Sequence, residues 1–438
     1  MGVISRLQRL TGEAPGGENG GQARADEIAG LRKRIDAILS RRPQGQRAET
    51  LPAASGRGVP LEELVPGEEA TNEAGPFFCS SRQVKGSARH GRYCVRDMAP
   101  LDMCRLAVLG NDPALRELDY REAMFLDTET TGLAGGTGTV AFLIGLGWFE
   151  GDAFITRQLF ARDYGEERAT LLGLRELMEG KRFLVSFNGK AFDANLLAAR
   201  FIMNRMPDPL AGLPHLDLLH PARRLLRHRM SDRRLAALEA ALLGFERNGD
   251  VPGSEIPGRY FDWLRRRDGR LMADVFEHNR LDILSLAALA VHLSELIDPE
   301  GDARGFHPGD RLAAVRLLLA RECPDEAVRI LNPLIGCDSR KTARDAAREL
   351  SLYYKRAGQW PAAVAVWEGM VRRDEGDCFA LIELAKWCEH RLRDLTRAKA
   401  LAERAGAGAP HLSPDESADL ARRRQRLERK LAGRKDGR

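Results

Sequence analysis

What this chain lacks closes off several classes of function. Its 438 residues include only seven cysteines (79, 94, 104, 323, 337, 378 and 388), an odd number, scattered and never spaced as Cys-x-x-Cys. That argues against a structural zinc site and against a disulfide framework, and it suits a reducing compartment. No apolar run reaches the length of a membrane-spanning helix. The first residues lack a signal-peptide apolar core because Arg6 and Arg9 interrupt it. The expected location is the cytoplasm, with no membrane partner. The glycine-rich stretch Gly132 to Gly138 is not followed by Gly-Lys-Ser/Thr, so it reads as a flexible turn and not as a nucleotide-binding loop.

The net charge of +5 is unevenly spread, because Ala421 to Arg438 alone carries +7 and leaves the rest near −2. Such a run is usually a solvated end, so overall basicity says little about nucleic acid. The length allows two or three domains. Residues 1–75 are rich in Gly, Pro, Ala and charge and read as mostly disordered, with one weak amphipathic stretch (Ile28, Leu31, Ile35, Ile38). Residues 76–298 read as an α/β domain. Strands are expected at Ala123 to Asp127, Val140 to Phe149, Ala153 to Phe160, Phe183 to Phe187 and His215 to Leu218. Helices are expected at Glu166 to Met178 and at about 190–203, 219–228, 232–243, 258–267 and 271–296. Three consecutive strands followed by alternating helix and strand indicate a mixed sheet with helices on both faces.

Beyond Pro308 the pattern is helical only. Small residues recur at Ala327-Val328, Ala363-Val364 and Ala398-Lys399, a period near 35, and Tyr354 and Gly358 precede the second of them. This spacing resembles tetratricopeptide repeats, whose unit is about 34 residues. Residues 308–410 are therefore expected to form helical repeats and 411–438 a basic tail.

Three stretches carry the chemistry: Phe125 to Leu133 (FLDTETTGL), Ser186 to Asp193 (SFNGKAFD) and His278 to Asp282 (HNRLD). Each sets an acid beside apolar sequence, where an unpaired charge is costly. Alternate strand residues share a face, so Asp127 and Glu129 can stand side by side at a strand end. Asp193 falls in the first turn of a helix. His278 and Asp282, four apart, share a helical face with Leu271 and Val275. Oxygen ligands without Cys or paired His suit Mg²⁺ or Mn²⁺, and two such ions stabilise the attacking and leaving oxygens of a phosphodiester displacement. His278 is then placed to take a proton from water.

At these residues the chain resembles the DEDD (DnaQ-like) 3′→5′ exonucleases of the ribonuclease-H-like superfamily. Leu242 to Phe245 (LLGF), Asp250 to Pro257 (DVPGSEIP) and His278 to Asp282 are similar to its YprB subgroup. The resemblance implies a ribonuclease-H-like fold over about residues 60–296 and, more loosely, a repeat region over 308–405. It implies that Asp127, Glu129, Asp193 and Asp282 bind two divalent cations, with Asp127 bridging both. It also implies DNA in a repair or processing role, single strands favoured over RNA, and a helicase as protein partner of the repeats. One departure stands out: three residues separate His278 from Asp282, the spacing of the Tyr-type branch, where the His-type branch has four.

Thr130, Leu133 and Asn188 flank the acids and are expected to touch substrate. Arg223, Arg224, Arg227, Arg229, Arg233 and Arg234 interrupt their run with one acid, Asp232. They form a solvated face or a phosphate track, with Arg223 and Arg227 as the contacts. Tyr260 and Trp263 sit at helical spacing, more often core than base-stacking. His215, His220, His228 and His292 lack partners at ligand spacing and read as structural or surface residues. The expected activity is metal-dependent exonucleolytic hydrolysis. The alternatives are an inactive nuclease-fold scaffold binding partners through its repeats and a nucleic-acid-binding module that does not cleave.

Overall fold

The four residues Ala123 to Leu126 are buried, as expected of a strand covered on both faces. They begin β5 (Ala123–Thr130), an interior strand of a seven-stranded mixed sheet. The other strands are β1 (Glu68–Asn72), β2 (Gly75–Val84), β6 (Ala141–Glu150), β7 (Ala153–Phe160), β8 (Phe183–Ser186) and β9 (His215–Asp217); a separate small hairpin is formed by β3 (Arg89–His90) and β4 (Tyr93–Cys94). The order is β1-β2-β7-β6-β5-β8-β9. Pairing is antiparallel from β1 through β5 and parallel from β5 through β9. The carboxyl ends of β5, β8 and β9 therefore share one sheet edge, where open α/β sheets hold their ligands. The computed structural model describes residues 58–132, 138–302, 305–407 and 413–435.

Helices cover both faces: α1 (Met103–Gly110), α2 (Glu167–Leu177), α3 (Asp193–Met203), α4 (Leu219–Leu226), α5 (Leu235–Leu238, continued by a π turn over Glu239–Leu243), α6 (Ile256–Arg266) and α7 (Arg270–Leu296). On one face Met124, Leu126 and Ile144 pack with Leu171 and Leu174 of α2 and Leu197 and Phe201 of α3. On the other, Ala123, Phe125 and Val185 pack with the second half of α7. From Ile283 to Leu293 every residue of α7 is buried, as in a helix that is apolar all round and enclosed. Its outer side meets the C-terminal helices.

Those helices are α8 (Pro308–Ala320), α9 (Pro324–Leu334), α10 (Arg340–Arg356), α11 (Trp360–Arg373), α12 (Cys378–Trp387), α13 (Leu395–Ala407) and α14 (Pro414–Lys435). Each packs on the next. Ala327, Ala363 and Ala398, the small residues of the sequence period, are fully buried and fall in the alternate helices α9, α11 and α13. Leu312, Val315 and Leu331 share one core with Ile283 to Ile297, so the helical region and the sheet region are joined through α7.

Three expectations need correction. Residues 1–57 lie outside the described residues, but 58–75 belong to the fold: β1 pairs residue for residue with β2 from Glu68 opposite Cys79 to Asn72 opposite Gly75. The boundary expected at 76 falls inside this hairpin. β1 was hidden because an edge strand exposes one side and here reads EEATN, with no apolar alternation. β2 was also missed, so three consecutive strands understate the antiparallel half. Finally, 414–435 is no solvated tail. Leu420 and Leu427 are buried, Leu431 packs beside them, and Arg423, Arg426 and Lys430 converge on the buried Glu389 at 2.6, 2.9 and 3.0 Å. A leucine stripe at helical spacing outweighs the charge count.

Candidate functional site

Strand alternation divides the work along β5. Asp127 follows Phe125 toward α7, where Asn279 Nδ2 donates to its Oδ2 at 2.9 Å. Asn279 is fully buried and is itself fixed by Gln158 Nε2, which donates to Asn279 Oδ1 at 2.9 Å and to the Phe276 carbonyl at 2.8 Å. Space for Asn279 comes from β6, where residue 145, opposite Asp127, is glycine. A Cβ there would lie 2.2 Å from Asn279 Oδ1. Thr128 faces the other way, and its Oγ1 donates to Asp193 Oδ1 at 2.5 Å. The β5–β6 register shifts between Glu129 and Thr130, an irregularity that re-aims side chains at a sheet rim.

Asp193 opens α3, and the loop before it is built around Asp217 at the end of β9. The buried Asp217 carboxylate accepts the backbone N–H groups of Asn188 at 2.7 Å, Lys190 at 3.1 Å and Leu219 at 3.1 Å. Asn188 adopts a left-handed φ of 68°, which asparagine tolerates better than most residues. Gly189 passes so close to β8 that a Cβ would meet Ser186 Oγ at 2.4 Å and lie 3.3 Å from Asp193 Oδ2. The short loop can thus bring Asp193 back to the sheet edge.

The third wall is α7. His278 Nε2 lies 3.4 Å from Asp282 Oδ2 and 3.8 Å from Glu129 Oε1, and ligand atoms of these three residues lie within 4.8 Å of one another. The other ring nitrogen, Nδ1, is 2.7 Å from Asp250 Oδ1. Arg247 sits behind this group. It binds the fully buried Glu239 at 2.5 and 2.7 Å, Asp250 at 3.1 Å, and Asp282 through Nη2. One guanidinium, rigid and always charged, thereby fixes both the carboxylate that orients His278 and one of the four site acids.

Crowding of acids dominates the electrostatics. Desolvation, then the charges of Asp282, Glu129 and Asp193, pushes Asp127 well above the usual carboxylate range, against the Asn279 hydrogen bond. Glu129 is pushed well up by desolvation and by Asp282, Asp193 and Asp250, with Arg247 opposing. Asp193 is raised by desolvation, against the Thr128 hydrogen bond. Asp250 goes the other way: burial would raise it, but the His278 hydrogen bond and the Arg247 charge hold it low. Clustered acids that can ionise together only at a cost offer the hard oxygen donors that suit a divalent cation.

Of the sequence candidates, Asp127, Glu129, Asp193, His278 and Asp282 come together. Thr130 ends β5 with its Oγ1 donating to the Gly132 carbonyl at 2.9 Å; Asn188 lies in the Asp217-held loop; Leu133 lies outside the described residues. Arg223 and Arg227 are exposed on or beside α4. Tyr260 and Trp263 are core: Tyr260 stacks on Phe142 with ring centres 4.0 Å apart, and both donate to backbone carbonyls at 2.9 Å. His215 is buried against Ser186 Oγ at 2.7 Å and His292 against Tyr93 Oη at 3.0 Å. Reading the sequence missed Asn279, Asp250, Arg247, Glu239 and Asp217 as working residues. Asn279 and Asp250 lay inside quoted segments; Arg247, Glu239 and Asp217 had no local signal, since only folding brings them to the site.

A family model described as the RNase_H superfamily matches residues 124–294, the span from β5 to the end of α7. A protein of Bacillus subtilis (strain 168), named uncharacterized protein YprB, is 33% identical over 364 residues, covering 81% of this chain and 87% of that one. Residues 124–294, with the mixed sheet and its flanking helices, thus form a domain of the RNase_H superfamily, and the chain belongs to the family of the YprB protein.

Proposed function

We propose that this protein is a metal-dependent 3′→5′ exonuclease that hydrolyses phosphodiester bonds of single-stranded nucleic acid, DNA in preference to RNA, in repair or processing. The observation that supports the reading is that Asp127, Glu129, Asp193 and Asp282 lie close enough to raise one another's carboxyl groups, with His278 Nε2 3.8 Å from Glu129 Oε1 and 3.4 Å from Asp282 Oδ2.

Asp127, Glu129, Asp193 and Asp282 would hold two divalent cations, Mg²⁺ or Mn²⁺. Bound there, such ions would stabilise the attacking and leaving oxygens of a phosphodiester displacement. His278 keeps Nδ1–H on Asp250 at 2.7 Å, which leaves Nε2 as an acceptor for a proton from the attacking water. Asp250 is the positioning residue for that ring, and Arg247 holds Asp250 and Asp282 in place. Asn279 orients Asp127, and Thr128 orients Asp193. Thr130 and Asn188 would touch the terminal nucleotide, as would Leu133, which lies outside the described residues. The helical region, read as tetratricopeptide-like repeats, would bind a protein partner, a helicase that supplies single strands being the expected one.

The test is degradation of matched DNA and RNA strands labelled at either end, with Mg²⁺, Mn²⁺ or chelator. Metal-dependent shortening from the 3′ end, faster on DNA, is the expected result. No cleavage of either strand with either metal would leave an inactive scaffold or a non-cleaving binding module as the better account.

A further inference from the structure

We propose that a basic groove between α4 and the first C-terminal helices binds the phosphodiester backbone of the strand on its way to the active site, so that the helical region forms part of the substrate path. This rests on the nuclease reading above. The groove encloses about 850 Å³ and is lined by Arg223, Arg224 and Arg227 from one side and by Arg316 and Lys341 from α8 and α10 on the other. All five side chains are exposed.

The charge balance marks this surface as unlike an ordinary solvated helix face. Arg229 is spoken for: it holds the buried Asp310 at 2.6 and 2.8 Å. Arg316 pairs with Glu349 at 3.0 Å. Among the described residues no acid forms an ion pair with Arg223, Arg224, Arg227 or Lys341, and Asp345 is the one acidic side chain lining the groove. Arg223 and Arg227 are four apart, which puts like charges side by side on one helical face, a destabilising arrangement unless an anion lies between them. Guanidinium groups present a planar fork that matches phosphate.

Continuity with the acid cluster favours a nucleic-acid strand over an acidic peptide. His220, which also lines the groove, has Nε2 3.9 Å from Asp217 Oδ2. Asp217 cradles the Asn188–Lys190 loop that leads into Asp193. The groove thus begins at the turn that sets one of the site acids. A cation is the wrong occupant. His228, His307 and Asp310 do bring ligand atoms within 4.8 Å of one another, but both Asp310 oxygens are engaged by Arg229 and the surrounding arginines repel positive charge.

The experiment measures binding of fluorescent single-stranded DNA of about 5 and about 25 nucleotides to the full chain in Ca²⁺, across a salt series. It compares wild type with an Arg227→Ala/Lys341→Ala double variant whose fold is checked by circular dichroism. For a single strand, each phosphate left unneutralised flattens log affinity against log salt by about 0.7, so the long strand should lose about 1.4 in slope and the short one less. An unchanged slope, or tighter binding of poly-glutamate than of DNA, would overturn the groove assignment. The nuclease reading fails separately: wild type that binds the long strand with this salt dependence but cleaves nothing in Mg²⁺ or Mn²⁺ would sink that reading and leave the groove standing. Absence of any strand binding by wild type would overturn the groove.

Discussion

Asn279 of α7 donates to the Asp127 carboxylate of β5 at 2.9 Å, and it reaches that far because position 145 on the neighbouring strand has no side chain. A helix–sheet contact and the aim of a site acid therefore depend on the same glycine. Gly145→Ala places a Cβ 2.2 Å from Asn279 Oδ1, so the buried Asn279 amide, held by Gln158, must shift. Overpacking of this kind costs about 1–3 kcal/mol, and Asn279 must leave Asp127. The expected result in urea unfolding is a lower midpoint with the slope unchanged, together with a loss of cleavage. A variant as stable and as active as wild type would show that Asn279 has another place to go.

Asp127→Ala and Asp193→Ala should each abolish cleavage while the protein stays folded. Desolvation and mutual repulsion raise both groups, so without metal the removal of either relieves crowding, and stability should hold or rise. Each gives up one hydrogen bond, from Asn279 to Asp127 at 2.9 Å and from Thr128 to Asp193 at 2.5 Å, so Asp127→Ala, which removes the more strongly raised group, should gain more. Thermal unfolding in chelator and turnover in Mg²⁺ check the two halves. Turnover near wild type in either folded variant would remove that carboxylate from the site.

How much of this was legible before folding depends on the range of each cause. Asp127, Glu129, Asp193, His278 and Asp282 announce themselves because each breaks a local apolar pattern, which neighbouring residues alone reveal. The strand from Ala123 was legible for the same reason, and its partners β6 and β7 with it. β1 was not, because its EEATN sequence acquires meaning only when β2 pairs with it. Arg247 is the corresponding case at the site. Its role lies in Glu239, Asp250 and Asp282, which are 8, 3 and 35 residues away, and nothing adjacent to it is unusual. Likewise α14 looked like a charged tail because its two buried leucines are outnumbered by basic residues, three of which answer Glu389 in the turn that follows α12.

Buried imidazoles give a pH dependence whose sign is fixed. Burial, then Arg92 and Arg229, lowers His292 from 6.5 to about 3. The folded protein keeps it neutral where the unfolded chain takes up a proton. Its contribution is therefore complete above about pH 6.5 and is lost as pH falls toward 3, at about 1.4 kcal/mol per pH unit for one proton. The raised site acids run the opposite way, but equally in any variant that leaves them alone. Comparing wild type with His292→Gln by urea unfolding at pH 7.5, 6 and 5 isolates the histidine. The variant should lose stability more slowly on acidification, by about one proton's worth of slope; parallel curves would mean His292 is not held neutral by the fold.

The last prediction concerns the pair His278 and Asp250. A general base contributes about 10²–10⁴-fold, so His278→Ala should slow cleavage by that order while calorimetric binding of Mn²⁺ stays nearly unchanged. If Mn²⁺ affinity collapses instead, His278 is a ligand. Asp250 does not face the cluster itself; its Oδ1 meets the far nitrogen of the ring at 2.7 Å. Asp250→Ala removes the group that fixes which nitrogen carries the proton and frees the ring to turn, so turnover should fall, though by less than in His278→Ala. Groups that act as one unit are not additive. The double variant should therefore be no slower than His278→Ala alone, because with the ring gone Asp250 has nothing left to position. A further multiplicative loss in the double variant would mean that Asp250 acts on its own, through Arg247 and Asp282, and that the imidazole is aimed by some other contact.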